Sequence, residues 1–408
     1  MKAHDSLTPF QQQNHQLMIG DKTLSHIEML VGRTPFYVYD RVTLAQTVKQ
    51  LKNALPPEIS LHYAIKANPY PPLVNFMQPL VSGFDVASSK EMLLAIQSGM
   101  PANEISFAGP GKTEDDIRAA IVAGITLHAE SLTEINRAIA LGKQLALKPN
   151  IAIRINPAFE LKASGMKMAG GAKPFGIDQE QLPSILAELD YQALNFRGFH
   201  IYAGSQNLKE AALMEMHQKT FALAEELVAM TPVPIDYINI GGGLGIPYFA
   251  GEQRLDLSLV TDNLASLIAQ YSTLKDIELI MELGRYLVGE AGLYVCKVVD
   301  VKESRGTTYA VCDGGLHHHL ANSGNFGQVI RKNYPVVVGN KVGCSNDELS
   351  TATIVGPLCT PLDILADKVP LPPIEIGDYI AVYQSGAYGA TASPQAFLSQ
   401  PELSEILL

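Results

Sequence analysis

The chain has 408 residues, of which 47% are apolar and 17% are charged, and its formal net charge is −11. This length is typical of two domains rather than one small core, and the negative charge argues against nucleic acid or an anionic membrane surface as a partner. The sequence contains no run of about 18 apolar residues, so we expect no membrane span.

Short β-rich runs alternate with helical stretches through the first two thirds of the chain. Two S-x-x-E patterns, Ser88 to Glu91 and Ser131 to Glu134, indicate helix starts of the capping-box type. Eight strands, each of the first seven followed by a helix, predict an α/β fold built on a (β/α)8 TIM-like barrel. The runs are 61–65, 84–87, 105–108, 126–130, 151–155, 198–203, 237–240 and 279–283.

After residue 283 the pattern changes to short β-branched runs separated by Gly, Pro or Asn, which predicts an antiparallel β domain. The strand-like run TPFYVYD precedes the barrel, and we expect it to join that second domain. The predicted domains are therefore an N-terminal segment 1–40 of the β domain, a barrel at 41–283 and a β-sandwich or β-barrel domain at 284–408. A long Gly/Lys-rich loop at 157–177 has the character of a lid or binding loop.

The cysteines and the N-terminus bear on the compartment. Four cysteines, Cys296, Cys312, Cys344 and Cys359, are spread out without a CxxC pair. This argues against a disulfide framework or structural zinc and favours a reducing environment. The first ten residues lack an apolar signal core. We expect a cytoplasmic protein.

Polar residues collect where the barrel strands end. Active sites of such barrels lie at the carboxyl ends of the strands. A partly desolvated lysine there can lose its proton and form a Schiff base with a carbonyl cofactor, and a glycine run exposes main-chain amides that can hold phosphate. Together these features indicate pyridoxal phosphate. The strand-end residues are Lys66, Asp85, Arg154, His200, Tyr202, Ser205, Gly241, Gly242, Gly243, Glu282 and Arg285.

Each of these residues also has an ordinary structural interpretation. A lysine at a strand end is usually a solvated charge, Asp85 can cap the next helix, and the run GGGLG is equally a tight turn. The run lacks the last glycine of G-x-G-x-x-G, because Ile246 stands there, so a Rossmann site is a poor fit. Only the combination favours a cofactor site.

Two further patterns are weighed as alternatives. SFAGPGKT at 106–113 differs from a Walker A motif by Ser106 in place of the first glycine, but a barrel strand is the wrong setting for ATP. Three consecutive histidines, 317–319, suggest a metal cluster. Placed on a strand they would alternate between faces and could not share one ion, so we expect no metal site.

The motifs YAIKAN, FDVASSKE, GSQ, GGGLGIPY, ELGR, GPLCTPLD and SGAYG occur in this order and cover about residues 35–390. Through them the chain resembles fold-type III pyridoxal-phosphate decarboxylases, the diaminopimelate, ornithine and arginine decarboxylase group. It is most similar to the branch of exosortase A system-associated decarboxylases. The resemblance implies an alanine racemase/ornithine decarboxylase-like fold, with a barrel and a C-terminal β domain.

The resemblance also implies roles for single residues. Lys66 matches the Schiff-base lysine, and Glu282 matches the carboxylate facing the pyridine nitrogen. Cys359 matches a cysteine supplied by a partner subunit, which implies a homodimer with shared active sites. The residues that match phosphate ligands are Ser205, Gly241, Gly242, Gly243, Arg285 and, from the β domain, Tyr388.

Three departures from the family pattern bear on the substrate. Tyr202 stands where a histidine stacks on the cofactor, although an aromatic ring can still stack there. Thr360 replaces the carboxylate that pairs with a substrate's distal ammonium, and Ala321 replaces an arginine of diaminopimelate enzymes. An unpaired buried ammonium is costly. We therefore expect a substrate with a neutral distal end, such as an acyl group on a carrier protein, with Thr360 and Tyr334 contacting it.

The predicted function is a pyridoxal-phosphate-dependent amino-acid carboxy-lyase acting through Lys66. Three alternatives stay open. One is diaminopimelate decarboxylation. Another is a barrel racemase, against which Glu282 and Cys359 argue. The third is an inactive homologue that acts as a binding protein, against which the retained cofactor residues argue.

Overall fold

The computed structural model describes residues 9–160, 166–167, 169–326, 328, 331–343, 345 and 349–408, with only the main chain at 166–167. Contacts divide the chain into two units. The barrel unit comprises Thr47–Ile246 and Arg254–Leu287, and the β unit comprises Met1–Gln46, Pro247–Gln253 and Val288–Leu408, each over its described residues. No helix within the described ranges is long and apolar enough to cross a membrane.

The described chain begins with short elements of the β unit. These are β1 (Gln11–Gln13), β2 (Gln16–Ile19), β3 (Lys22–Thr23), α1 (Leu24–Val31) and β4 (Phe36–Tyr39), after which α2 (Arg41–Ala54) leads into the barrel unit.

The barrel unit alternates strands with helices. Its elements are β5 (Ile59–Ala64), α3 (Pro71–Met77), β6 (Gly83–Val86), α4 (Ser89–Gln97), β7 (Ile105–Phe107), α5 (Glu114–Ala123), β8 (Thr126–Ala129), α6 (Leu132–Leu145), β9 (Asn150–Asn156), β10 (Met166–Lys167), β11 (Ile177–Asp178), α7 (Leu182–Glu188), β12 (Asn195–Ile201), β13 (Gly204–Ser205), α8 (Glu210–Met230), β14 (Tyr237–Asn239), α9 (Leu257–Gln270), β15 (Glu278–Leu283) and α10 (Arg285–Val288).

Eight of these strands form a closed parallel sheet in the order β9-β12-β14-β15-β5-β6-β7-β8, with β8 pairing back to β9. The predicted (β/α)8 barrel is confirmed. Strands such as β6 and β8 are buried at every position, as expected for parallel strands covered on both faces. The short strand β11 adds to the edge of β9, and β10 pairs with β13. The predicted lid loop 157–177 lies partly outside the described residues.

Both predicted helix starts are present, but neither is a complete capping box. Ser88 and Ser131 each cap a helix, accepting from the N–H groups of Glu91 and Glu134. Both glutamates, however, accept from the N–H of the residue before the capping serine rather than from the serine itself. The reciprocal capping box occurs instead at the start of α5, between Thr113 and Asp116.

The β unit continues with β16 (Gly292–Ser304), β17 (Thr307–Cys312), β18 (Val336–Val338), β19 (Ser350–Val355), β20 (Ile364–Leu371), β21 (Tyr379–Val382) and β22 (Ser404–Leu407). Most pairings are antiparallel, as predicted, but β17 pairs with β19 and β22 pairs with β4 in parallel. β4 also pairs with β16. One core cluster joins the early elements to these strands, and it includes Leu17, Ile27, Phe36, Val295 and Ala381.

The three histidines do not lie on a strand: His317 and His318 are in a turn, and His319 directly follows it. The His318 and His319 N–H groups both donate to the Gly315 carbonyl. The His319 ring bonds the Ser385 hydroxyl at 2.9 Å. Among the described residues no group of His, Cys, Asp and Glu side chains could hold a metal ion.

Candidate active site

Lys66 lies in one 3-10 turn, Ile65–Ala67, directly after β5 at the carboxyl end of the barrel. Local bonds fix this turn. The Tyr63 hydroxyl donates to the Asn68 carbonyl at 2.9 Å, and Asn68 Oδ1 accepts from the Tyr70 N–H at 3.1 Å. The Lys66 side chain is 37% exposed, so its amine can meet a ligand.

Two buried carboxylates face this amine. Lys66 Nζ lies 3.6 Å from Glu282 Oε1 and 3.8 Å from Asp85 Oδ2. Asp85 Oδ1 accepts from the Ser106 hydroxyl at 3.0 Å, and Asn239 donates to Glu282 Oε2 at 3.3 Å. A cation between two carboxylates offsets part of the cost of burying their charge.

The environment separates the two carboxyl groups in acidity. Burial raises the pKa of Asp85 well above its usual range, and the Glu282 charge adds to the increase. Burial alone would also raise the pKa of Glu282, but the Lys66 charge and a hydrogen bond from His200 together hold that pKa well below its usual value. Of the two groups, Asp85 therefore binds a proton more readily, and Glu282 is the one that stays charged.

His200 contacts Glu282 from within the barrel. Its Nε2 lies 3.1 Å from Glu282 Oε2, and the ring is 1% exposed. Burial lowers the pKa of His200, so the ring is neutral and has one N–H to donate. The His128 ring lies 4.3 Å from the His200 ring and bonds the Tyr237 hydroxyl at 2.8 Å. A neutral polar layer thus backs the charged Glu282.

An aromatic ring and an arginine complete this side. The Tyr202 ring centroid lies 5.7 Å from Lys66 Nζ and 5.9 Å from the Arg154 guanidinium carbon. Arg154 Nη1 donates to Glu130 Oε1 at 2.7 Å, and both side chains are buried. The Arg154 guanidinium therefore has a fixed position beside the ring.

The glycine run follows β14 and lies flat against neighbouring strands. Gly241 has φ of +75°, and a Cβ there would stand 2.6 Å from the Ile201 carbonyl oxygen. A Cβ on Gly242 would overlap the Glu282 carbonyl. Because side chains are excluded at both positions, the main chain itself faces the end of the barrel. Ser205 ends β13 on the neighbouring loop, and Arg285 begins α10.

The remaining predicted residues belong to the β unit. Cys359 is an exposed free thiol, and the Thr360 hydroxyl accepts from the Leu362 N–H at 3.3 Å. Tyr334 is 6% exposed, with its ring 4.7 Å from that of Tyr248. Tyr388 has φ of +53°. The structure thus brings Asp85, Glu282 and Tyr202 close to Lys66, and it places these four residues in the other unit.

Sequence reasoning missed two polar residues next to the charged centre. Asn239 donates to Glu282 and also accepts from the Gly241 N–H at 2.8 Å. Glu130 holds Arg154. A signal for Asn239 was present, because an asparagine that ends an apolar strand before a glycine run is typical of a side-chain-stabilised turn.

Comparison with known proteins yields a family model and close relatives. Residues 41–289 match the model of the pyridoxal binding domain of pyridoxal-dependent decarboxylases. An L-glutamyl-[BtrI acyl-carrier protein] decarboxylase of Niallia circulans is 35% identical over 92% of this chain and 88% of its own. A 2-[(L-alanin-3-ylcarbamoyl)methyl]-2-hydroxybutanedioate decarboxylase of Staphylococcus aureus is 30% identical over 91% of this chain and 93% of its own.

Solved structures agree in fold. The crystal structure of diaminopimelate decarboxylase from M. jannaschii in co-complex with L-lysine is 26% identical and superposes with a TM-score of 0.87. The match covers 98% of this chain and 92% of that one, so both units have counterparts in it.

Proposed function

The chain belongs to the pyridoxal-dependent decarboxylases, and from that premise we propose that it removes the α-carboxylate of an amino-acid group whose distal end is uncharged. It is a pyridoxal-phosphate-dependent carboxy-lyase by family. The substrate class, the roles of single residues and the use of two copies per site are the parts proposed here.

The barrel residues fit the cofactor. When bound, pyridoxal phosphate accepts the electron pair left by the departing carboxylate. Lys66 offers the amine for covalent attachment, the Tyr202 ring offers a stacking face, and the Gly241–Gly243 main chain offers N–H groups for the phosphate. The observation that carries the proposal is the position of Lys66 Nζ, 3.6 Å from one buried carboxylate and 3.8 Å from another.

Glu282 is the residue that selects the chemistry. A carboxylate that stays ionised opposite a pyridine nitrogen keeps that nitrogen protonated, which strengthens the ring as an electron acceptor. Asn239 donates to Glu282 and His200 Nε2 lies 3.1 Å from Glu282 Oε2, so both side chains restrict the orientation of this carboxylate. We assign His200 to this positioning role and Tyr202 to the cofactor face. A charged Glu282 favours decarboxylation over racemisation.

The substrate's distal end is proposed to be neutral. Thr360 provides a hydroxyl where a carboxylate would be required to pair with a distal ammonium, and Ala321 provides no positive charge. A relative acts on an L-glutamyl group held by an acyl-carrier protein, which is a substrate without a distal charge. We therefore propose a carrier-bound aminoacyl group as the substrate.

Completion of the site is proposed to need a second copy of the chain. Cys359 is exposed in the β unit, and a thiol there can deliver the proton to the α-carbon after carbon dioxide leaves. Tyr388 of the same unit would reach the phosphate. This arrangement makes the protein a homodimer with shared sites.

Release of labelled carbon dioxide tests the substrate assignment. Carboxyl-labelled L-glutamate attached to a carrier protein, free L-glutamate, L-ornithine and meso-diaminopimelate are offered at equal concentration. Release is expected from the carrier-bound substrate and at least about a hundredfold slower release from the two diamino acids, since an unpaired ammonium is rejected strongly. Fast release from diaminopimelate, or rescue of a lysine auxotroph lacking that enzyme, would instead favour diaminopimelate decarboxylation.

A further inference from the structure

We propose that Gln206 is a positioning residue that fixes the spacing of the two loops on which the cofactor's phosphate is held, an inference that rests on the proposed function. One loop contains Ser205, and the other is the glycine-rich loop Gly241–Ile246. Gln206 immediately follows Ser205, and its side chain spans the gap between the loops.

The Gln206 amide binds both main-chain groups of one residue. Its Nε2 donates to the Ile246 carbonyl at 2.6 Å, and its Oε1 accepts from the Ile246 N–H at 3.2 Å. This side chain therefore acts like a short strand paired with Ile246. These two hydrogen bonds need one donor and one acceptor at the end of a side chain of this length. A glutamine amide supplies both, whereas a glutamate carboxylate lacks the donor.

The main chain continues the connection on the other side. The Asn207 N–H donates to the Gly243 carbonyl at 2.9 Å, and the Gly245 N–H donates to the Asn207 carbonyl at 2.9 Å. A Cβ on Gly245 would stand 2.8 Å from the Asn207 carbonyl oxygen, so the two loops meet main chain to main chain. Four hydrogen bonds thus join Gln206 and Asn207 to the segment Gly243–Ile246.

Gln206 adopts a backbone conformation that a glutamine rarely takes. Its φ is +58°, in the left-handed region that disfavours residues with a Cβ. Such a conformation persists only where the surroundings determine it, and here the bonds to Ile246 supply that determination. A residue held this way is suited to setting a distance.

The distance matters because a phosphate contacts several donors at once. Ser205 and the Gly241–Gly243 main chain come from segments that follow different strands, β12 and β14. Donors must stand within about 0.5 Å of their working positions to bind together. The Gln206 clamp is a direct connection between the two segments at the level of the phosphate donors.

Affinity for pyridoxal phosphate and for pyridoxal, which lacks the phosphate, tests the inference. The full-length chain, freed of cofactor by dialysis, is titrated with each compound while the visible absorbance is recorded. Gln206→Glu keeps the size but loses the donor to Ile246, and Gln206→Ala loses the whole clamp. Gln218→Ala, on α8 with its Nε2 3.5 Å from the Tyr271 hydroxyl, is the matched control.

Both Gln206 variants are expected to raise Kd for pyridoxal phosphate by about tenfold or more, equal to about 1.4 kcal/mol, and to change Kd for pyridoxal less than about twofold. Gln218→Ala should leave both values unchanged. An unchanged ratio of the two Kd values in both variants overturns the inference. The inference is also overturned if neither Gln206 variant shows a cooperative unfolding transition, because the Gln206 contacts would then be needed for folding and not specifically for phosphate binding. Equal Kd values of the wild type for the two compounds would show that the protein has no phosphate-binding site. That result would contradict the phosphate-binding part of the proposed function itself.

Discussion

At the residue scale, the two carboxylates near Lys66 differ because their donors differ. Glu282 is approached by Lys66, His200 and Asn239, whereas Asp85 accepts from Ser106 and lies slightly farther from the amine. The group with more donors keeps its charge. The two acids beside Lys66 thus differ in acidity, which suits the different roles proposed for them.

Lys66→Ala is expected to abolish the visible absorbance of the protein-bound cofactor, because the proposed covalent attachment needs this amine. Purified wild type and variant are compared by absorption spectrum after incubation with pyridoxal phosphate. Lys52→Ala, which removes an exposed lysine of α2, should keep the band. A variant at position 66 that keeps the band would show that another lysine attaches the cofactor.

Glu282→Gln is expected to lower kcat by about 10²–10³-fold, the range for loss of one positioned electrostatic partner. The cofactor should still attach to Lys66, so its absorbance remains while turnover falls. Glu278→Gln changes an exposed residue of the same strand and should leave kcat within about twofold. Decarboxylation at the wild-type rate by the Glu282 variant would remove this residue from the proposed role.

At the element scale, the loop between β7 and α5 contains a motif that resembles a nucleotide-binding loop but stabilises the fold. Lys112 of SFAGPGKT is 6% exposed. Its Nζ donates to the carbonyls of Gly109 and His128 at 2.6 and 2.9 Å and pairs with Glu134 at 2.8 Å. The lysine joins the loop to β8 and α6 and is fully engaged within the fold.

Lys112→Met is expected to lower the free energy of unfolding by about 3–5 kcal/mol, because it leaves a buried carboxylate without its cation. Glu134→Leu in the same chain should recover only part, since two carbonyls still lack a donor. Urea unfolding midpoints measure both, with Lys143→Met at an exposed site of α6 as the control. A loss under about 1 kcal/mol would contradict the structural role of Lys112.

Helix α8 contains a buried histidine that ties stability to pH. Burial lowers the pKa of His217 from 6.5 to about 4. Between pH 6.5 and about pH 4, His217 is protonated in the unfolded chain but not in the folded chain. The free energy of unfolding is therefore highest above about pH 6.5 and falls as the pH drops toward 4.

His217→Leu is therefore expected to lose about 2 kcal/mol less stability than the wild type between pH 7 and pH 4.5. Urea unfolding at the two pH values gives the difference. His26→Leu, at an exposed position of α1, should follow the wild type. Parallel acid dependence in the wild type and the His217 variant would exclude this histidine as a source of acid sensitivity.

At the scale of the whole molecule, the residues assigned to the proposed function fall in two separate units of the chain. Lys66 and its barrel partners belong to one unit, and Cys359, Thr360 and Tyr388 belong to the other. If two copies share their sites, a defect in each unit can be complemented by the intact unit of a partner.

Mixing Lys66→Ala with Cys359→Ala and allowing subunits to exchange is expected to restore about a quarter of the wild-type activity, because half of randomly formed dimers are hybrids with one intact site. Each variant alone should stay far below that level. Carbon dioxide release before and after exchange measures the gain. An inactive mixture in which hybrid dimers are demonstrated would mean that each chain builds its own site.

The barrel could be predicted because its eight strands are short, β-rich and largely buried runs that alternate with helical patterns. The β unit was harder. β20 contains Asp367, Lys368 and Pro370, which weaken its strand pattern, and its partners are set by tertiary pairing. Lys66, Asp85 and Glu282 could be identified because active sites of such barrels lie at the carboxyl ends of the strands. The Gln206 contact could not be predicted, because it joins residues 40 positions apart through side-chain geometry that no local sequence pattern encodes.

The pairing of β4 has a consequence for biosynthesis. β4 (Phe36–Tyr39) is made early, but its neighbours β16 (Gly292–Ser304) and β22 (Ser404–Leu407) emerge much later. At about 5–20 residues per second, the ribosome leaves this apolar strand without a neighbour for tens of seconds. The barrel, whose last strand ends at Leu283, can close in the meantime. Until β16 is made, the backbone N–H and C=O groups of β4 lack both strand neighbours, so nascent chains of this protein are expected to be prone to pairing with other chains at this strand.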